Sequence, residues 1–300
     1  MSDSLLPPET SLSRALKWRA EALGLGVMQK LLQALGPDRA SALSGALWRR
    51  LAPLNKRHKR ADAQLAAAMP DLTPEARNAI LLEMWENLGR TTAESFHLTP
   101  LLADLSRFEI GPDTRAAITR AQETGAVFVS LHQGNWELAA PLLNALGLPV
   151  AGVYQKLQNP LAEAQALALR APHYPLGLFA KGNDAARALL KLVGARGTVA
   201  IMADLRDMGG LPVPFFHRDA PSTGFPALLA RTREVPLFAG VVKRTTGARF
   251  AIEVVEIEVP RTADRQADIL GATANIQRCF EGFVRSAPGQ WMWGHRRWAR

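Results

Sequence analysis

Leu12, Leu16, Leu23, Met28, Leu31, Leu32 and Leu35 recur at helical spacing, interspersed with Arg14, Lys17, Arg19 and Lys30. This pattern predicts amphipathic helix over residues 11–52, turned at Gly36-Pro37, with Gly24 and Gly26 weakening its middle. Helix continues over 61–104, where Thr73-Pro74-Glu75 offers a capping hydroxyl and a first-turn proline. From about residue 108 the period changes. AVFVSLH (126–132), PVAGVYQ (149–155), HYPLGLFA (173–180) and TVAIMAD (198–204) read as strands. Helical segments at 136–147, 159–170, 184–197 and 223–234 alternate with them. A Gly/Pro-rich loop is expected from Leu205 to about Ser222. A hairpin is expected from 235–244 and 249–259 across Thr246-Gly247, and a last helix over 264–286. Strands alternating with helices predict an α/β fold, a mostly parallel central sheet flanked by helices, behind an all-helical front third. The expected organisation is a helical, membrane-apposed region over 1–105 and an α/β domain over 106–300, together one structural unit.

Composition narrows this picture. Of 300 residues, 48% are hydrophobic and 21% charged, enough apolar surface to exclude a disordered chain. The single cysteine, Cys279, excludes a disulfide scaffold and a cysteine zinc cluster. Residues 138–155 are uncharged and just long enough to span a bilayer, but Pro141, Asn144, Gly147 and Pro149 divide them into a helix and a strand, so no span is expected. No signal peptide is expected either, because acids come early and no apolar core precedes a small-residue cleavage site. Lys and Arg total 36 against 27 acids, a net charge of +9, and 28 of the 36 are Arg. Such an excess suits a polyanionic partner, although Arg-rich codon usage produces the same excess. Arg49, Arg50, Lys56, Arg57, Lys59 and Arg60 follow the amphipathic stretch as a dense basic run. Together they suit docking on an anionic membrane surface, or a helix packed on the main domain with a solvated basic face.

Ligands of parallel sheets collect at the carboxyl ends of strands. His132 closes one predicted strand there and Asp204 another. The segment after the first strand is S-L-H-Q-G-N-W-E-L. Gly134 permits a tight turn and Asn135 can cap a helix beginning at Trp136. A strand-end His132 and a first-turn Glu137 can then meet, as a general base with an orienting carboxylate. A structural histidine beside a helix-capping glutamate fits the spacing equally. No nucleophilic Ser or Cys accompanies the pair, so the substrate would bring its own hydroxyl. The helix N-terminus offers N–H donors for a phosphate or an oxyanion.

H-Q-G-N-W-E after an apolar strand resembles the HxxxxE motif of the bacterial lipid A biosynthesis acyltransferases, the lauroyl/myristoyl transferase family. The resemblance extends through W-E-N-L-G-R-T-T-A-E (85–94), V-Y-Q-K-L-Q-N-P (153–160), A-D (203–204), V-P-F-F (213–216), S-T-G (222–224) and Q-W-M-W-G-H-R-R-W (290–298), covering roughly 20–298. It implies a transferase that moves a fatty acyl chain from acyl carrier protein to a hydroxyl of a phosphorylated lipid A precursor. The setting would be the cytoplasmic side of the inner membrane, and no cofactor is needed. It assigns His132 as base and Glu137 as its partner, with Asn135, Trp136, Lys156, Arg170 and Asp204 expected around the substrate. The chain departs from the family pattern at Leu205, at His217, in A-P-H-Y-P after Arg170, and in having an amphipathic helix where many members carry a hydrophobic span.

Other candidates have two readings each. Arg90 and Glu94 pair on a helix face or enter the site. Lys156, sharing a strand face with Tyr154, meets a phosphate or is solvated. Trp291, Trp293 and Trp298 form an interfacial belt or pack the C-terminus. His295 reads as structural and His58 as solvated. Rival functions are acyl transfer to another glycolipid or a lysophospholipid, and a non-catalytic basic peripheral membrane protein. No helix-turn-helix, RNP or zinc signature supports a nucleic-acid partner. No G-x-S-x-G, G-x-G-x-x-G at a strand end, P-loop or metal-ligand set is present.

Overall fold

A computed structural model describes Pro7 and residues 11–298. The other residues of the first ten, part of the expected helical region, and the last two residues lie outside the described set. Helix α1 runs Leu12–Leu51, and Gly36, at φ 72° and ψ 164°, kinks it beside Pro37. The expected turn is this break, which divides α1 into two helical stretches. α2 (Lys56–Ala68) and α3 (Pro74–Glu94) follow, and Thr73 Oγ1 accepts the Ala76 N–H to cap α3. α4 (Leu98–Ala103) ends the helical stretch.

The chain then alternates through β1 (Phe108–Ile110), α5 (Pro112–Thr124), β2 (Ala126–Ser130), α6 (Ala139–Ala145), β3 (Val150–Tyr154), α7 (Pro160–Arg170), β4 (Leu178–Ala180), α8 (Asn183–Gly194) and β5 (Thr198–Met202). After β6 (Leu211–Phe215) and β7 (Arg218–Ser222) come α9 (Phe225–Arg233), β8 (Leu237–Arg244), β9 (Phe250–Ile257) and α10 (Arg265–Ser286). One sheet has the order β1-β9-β8-β2-β5-β3-β4. Its neighbours are parallel except the β8–β9 hairpin.

The segment expected to be a loop over 205–222 contains a second, two-stranded sheet, β6 with β7. Pro212 and Pro214 obscured this strand, because proline normally argues against one. Both occupy exposed positions, while Val213 and Phe215 between them are buried. The period-2 pattern is therefore present, with prolines as its outward residues.

Burial explains the layers. Val127, Val129 and Leu131 of the β2 region face one core with Leu65, Leu81, Met84 and Phe280 from α2, α3 and α10. Ala126 and Phe128 alternate to the other side, against Ala117 and Ile118 of α5 and Leu143 of α6. The front helices thus share the core of the sheet. Among the described residues, no helix is long and apolar enough to cross a membrane.

Candidate active site

Strands β2 and β5 pair in parallel, with Ser130 opposite Met202. Continuing that register by two residues sets His132 opposite Asp204. Asp204 is fully buried and its carboxylate accepts three hydrogen bonds. These come from the His132 N–H (2.9 Å), His132 Nδ1 (2.7 Å) and Trp291 Nε1 (2.9 Å). Burial opposes the Asp204 charge, but the His132 imidazole and these donors hold its pKa well below the usual carboxylate range. An ionised Asp204 makes Nδ1 the protonated nitrogen of neutral His132 and leaves Nε2 as a proton acceptor. Burial also opposes charge on His132, yet Asp204, its hydrogen bond and the nearby Glu137 together raise the histidine above its ordinary pKa.

His132 and its expected partner Glu137 share no hydrogen bond, although Glu137 lies near enough to favour the charged imidazole. The carboxylate bonded to His132 is Asp204, and Asp204 is too deeply buried to meet substrate. Glu137 is bonded instead by Arg170, through Nε (2.9 Å) and Nη2 (2.7 Å). A fork of two parallel charge-assisted bonds commits Arg170 to Glu137 and fixes both. Trp136 is half-buried, and its ring centroid lies 5.4 Å from that of His132.

The turn between His132 and Glu137 is held from all sides. Gly134 has φ 58°, and a Cβ there would collide with the Val242 carbonyl. Its own carbonyl accepts from Asn87 Nδ2 (2.9 Å) and Thr91 Oγ1 (3.0 Å). Asn135 caps as expected, with Oδ1 accepting the Glu137 N–H at 3.1 Å. Its Nδ2 donates to Glu94 Oε2 at 2.7 Å, so this fully buried amide shapes the turn and has no face left for a substrate. The helix it caps opens as a single 3-10 turn, Trp136–Leu138, before α6.

Behind this turn lies a buried ion pair. Arg244 donates to Glu94 through Nη1 (2.6 Å) and Nη2 (2.8 Å), and through Nε to Asn87 Oδ1 (3.0 Å). Ser41 of α1 donates to the same Glu94 carboxylate at 2.6 Å. Arg90, expected as the Glu94 partner, pairs with Glu86 at 2.7 Å instead. Periodicity missed Arg244, although its place at the carboxyl end of a strand beside β2 was the available signal.

The C-terminal segment closes the site from below. Met292 N–H donates to the His132 carbonyl (3.0 Å), and the Gly134 N–H donates to the Gln290 carbonyl (3.1 Å). Trp291, Trp293 and Trp298 are buried around Phe215 and Phe216, so they pack the terminus and form no exposed belt. Arg297 is fully buried, donates to Ser222 Oγ and Gln277 Oε1, and lies over the Phe215 ring. Burial lowers its pKa to about 10, with Asp204 as the opposing charge. Gln64 of α2 donates to the carbonyls of Trp293 and His295 at 2.6 Å each.

The structure does not gather every expected residue. Lys156 is exposed beyond the end of β3, and no hydrogen bond or ion pair among the described residues ties it to His132, Glu137 or Arg170. Tyr154 bonds Glu163 at 3.1 Å. His58 is half-buried rather than solvated, and accepts the Trp85 indole N–H at 3.0 Å. Among the described residues, no three His, Cys, Asp or Glu side chains are grouped to hold a metal ion. The arrangement suits proton abstraction from a hydroxyl: a partly exposed imidazole, tautomer set from beneath, on a rigid turn. A family model described as bacterial lipid A biosynthesis acyltransferase matches residues 8–300. No curated protein matches the chain.

Proposed function

The chain belongs to the bacterial lipid A biosynthesis acyltransferase family, and from that premise we propose that it moves a fatty acyl chain from acyl carrier protein to a hydroxyl of a phosphorylated lipid A precursor. The carrying observation is the Asp204–His132 hydrogen bond, which leaves Nε2 as the free basic nitrogen at the carboxyl edge of the sheet. Nε2 takes the proton of the acceptor hydroxyl. The oxygen attacks the thioester carbonyl carbon, and the carbonyl electron pair moves to oxygen. Collapse re-forms the carbonyl and breaks the C–S bond. The departing thiolate takes the proton held on Nε2, returning His132 to its starting state. No covalent acyl-enzyme intervenes. Asp204 stabilises the transient imidazolium, the role of the buried aspartate in hydrolase triads.

The same proposal places α1 on the cytoplasmic face of the inner membrane. Leu12, Leu16, Leu23, Val27, Leu31 and Leu35 before the kink, and Leu43, Leu47 and Leu51 after it, are exposed at helical spacing. Arg14, Lys17, Arg19, Lys30, Arg39 and Arg50 are exposed beside them. An apolar stripe rimmed by bases suits the boundary of an anionic leaflet. The basic surface also complements an acidic carrier protein and a phosphorylated acceptor.

The test is transfer of label from acyl carrier protein to a phosphorylated lipid A precursor in detergent, comparing wild type with His132→Ala and Glu137→Ala. Transfer by wild type and its loss in folded His132→Ala support the reading. Activity only on a phospholipid or a mannoside keeps the chemistry and removes the acceptor. Equal behaviour of wild type and His132→Ala on every acceptor overturns the catalytic reading.

A further inference from the structure

The basic run after α1 divides by helix geometry. α2 opens with Lys56, Arg57, Lys59 and Arg60 and has no acid in its first turn. Cations at that end of a helix oppose its dipole, so they do not serve the helix itself. At 3.6 residues per turn, Lys56, Arg57, Arg60 and Gln64 fall within about 100° of one another around α2, and Lys59 lies outside that sector. Lys56 and Arg57 are exposed and Arg60 is half-buried. Asp62, the acid of this helix, is paired with Arg77 of α3 at 2.9 Å.

The same sector grips the segment that runs beneath His132. Arg60 Nη1 donates to the Gly294 carbonyl at 3.4 Å. Gln64 donates to the carbonyls of Trp293 and His295 and accepts the Arg297 N–H. Arg296 is exposed between two residues that Gln64 bonds, and so joins this basic face. Among the described residues, no ion pair neutralises Lys56, Arg57, Arg60 or Arg296. The face is close to the chemistry. Met292 N–H donates to the His132 carbonyl at 3.0 Å, and the two residues from Met292 to Gly294 span at most about 7 Å.

Its make-up differs from that of α1. There a row of exposed leucines is rimmed by bases, which suits lipid. Here cations dominate, with Leu54, 84% exposed, just before them. A face made mainly of unpaired charge suits a folded partner of opposite charge, whose encounter it steers. The donor of the proposed reaction is such a partner, an acidic protein that presents a thioester at His132 while staying outside itself.

On the acyl-transfer reading above, we propose that Lys56, Arg57, Arg60 and Arg296 form the docking face for acyl carrier protein, seated beside the C-terminal segment so that its thioester-bearing arm reaches His132. Docking there adds no chemical step. It raises the local concentration of thioester at the base. The two substrates then arrive on different surfaces, the soluble donor at α2 and the lipid acceptor along α1.

The experiment measures kcat and KM for acyl carrier protein, KM for the phosphorylated lipid A precursor, and flotation on anionic vesicles. It compares wild type, the combined variant Lys56→Glu, Arg57→Glu, Arg296→Glu, and Lys59→Glu, with His132→Ala in parallel. Arg60 is left in place because it holds Gly294. The expected result for the combined variant is a rise of about 10-fold or more in donor KM with kcat within about 2-fold, and loss of most of the salt dependence of that KM. Acceptor KM and flotation stay as in wild type, and Lys59→Glu moves the donor KM by less than about 2-fold. An unchanged donor KM in the folded combined variant overturns the inference. So does an equal rise in Lys59→Glu, because net charge alone then explains it. Weaker flotation or a higher acceptor KM at unchanged donor KM gives the face to lipid and overturns it too. If wild type takes acyl groups from coenzyme A thioesters and never from acyl carrier protein, the donor assignment fails and this face loses its partner. If wild type and His132→Ala are both inactive with every donor, the acyl-transfer reading itself fails.

Discussion

The carboxyl edge of β2 and β5 and the first helix obey opposite rules. At the edge, Asp204 is wholly buried with three donors, and the turn from Gly134 to Glu137 is bonded to α3, β8 and the C-terminal segment. Along α1 the polar ties to the rest of the chain leave a row of leucines exposed, with Leu12 at 75% exposure. Its fixings include Asn159 Nδ2 donating to the Trp18 carbonyl and Ser41 donating to Glu94. A base must be held in one place, and burial with complete hydrogen bonding does that. A surface that meets lipid, the role proposed for α1, must keep apolar area unpaired until the lipid arrives. The two regions meet at Glu94, which bonds Ser41 of α1, Arg244 and Asn135 of the turn after His132.

The contrast is broken most strongly at His132. His132→Ala is expected to lower kcat by about 10³-fold through loss of the general base, with vesicle binding unchanged, as flotation would report. Loss of both activity and vesicle binding would merge the two regions into one.

Asp204→Asn comes next. Wild-type His132 is raised above its ordinary pKa of 6.5, so the neutral, basic form fills only as pH rises past that value. The acid limb of kcat/KM should therefore centre above pH 6.5. Removing the carboxylate takes away what favours the imidazolium, so the limb in Asp204→Asn moves to lower pH while the plateau falls by about 10²-fold or more. An unmoved limb in the pH profile would assign the titration to another group.

Glu94→Gln tests the junction. It leaves the Arg244 guanidinium buried without its counter-charge, at a cost of about 3–5 kcal/mol read from urea unfolding. A change below about 1 kcal/mol would show that water replaces the carboxylate.

On the helix, Leu16→Ser with Leu23→Ser should weaken binding to anionic vesicles by about 10-fold or more, because each leucine forfeits on the order of 1–2 kcal/mol of apolar transfer. Stability in detergent should stay within about 0.5 kcal/mol, since neither side chain is buried. The smallest effect belongs to Lys156→Ala: exposed and unbonded to the cluster, it should change kcat by less than about 2-fold and raise KM only if the acceptor phosphate reaches it.

Much of this architecture was legible in the chain. The period change near residue 108, the Gly134 turn, the Asn135 cap and the β8–β9 hairpin all follow from local chemistry, and all stand in the structure. Two local readings failed for local reasons. The β6–β7 strands hide behind outward prolines, and Arg90 with Glu94 looked like a helix pair because i,i+4 spacing permits it. Glu94 turns inward to Arg244 since its carboxylate, fully buried, has to find a cation there.

By itself, the sequence determined most of the strands and helices, where the sharp turn falls, and that His132 lies just past the end of a strand. It also determined the stripe of leucines on α1, because periodicity and turn chemistry act between near neighbours. Only tertiary structure decided that His132 bonds Asp204, that Glu137 belongs to Arg170, and that His295 comes beside the base from the far end of the chain. These partners lie tens to more than a hundred residues apart. They meet because β2 was laid beside β5 and β8 and the C-terminal segment was packed beneath them, an ordering of strands that no local pattern encodes.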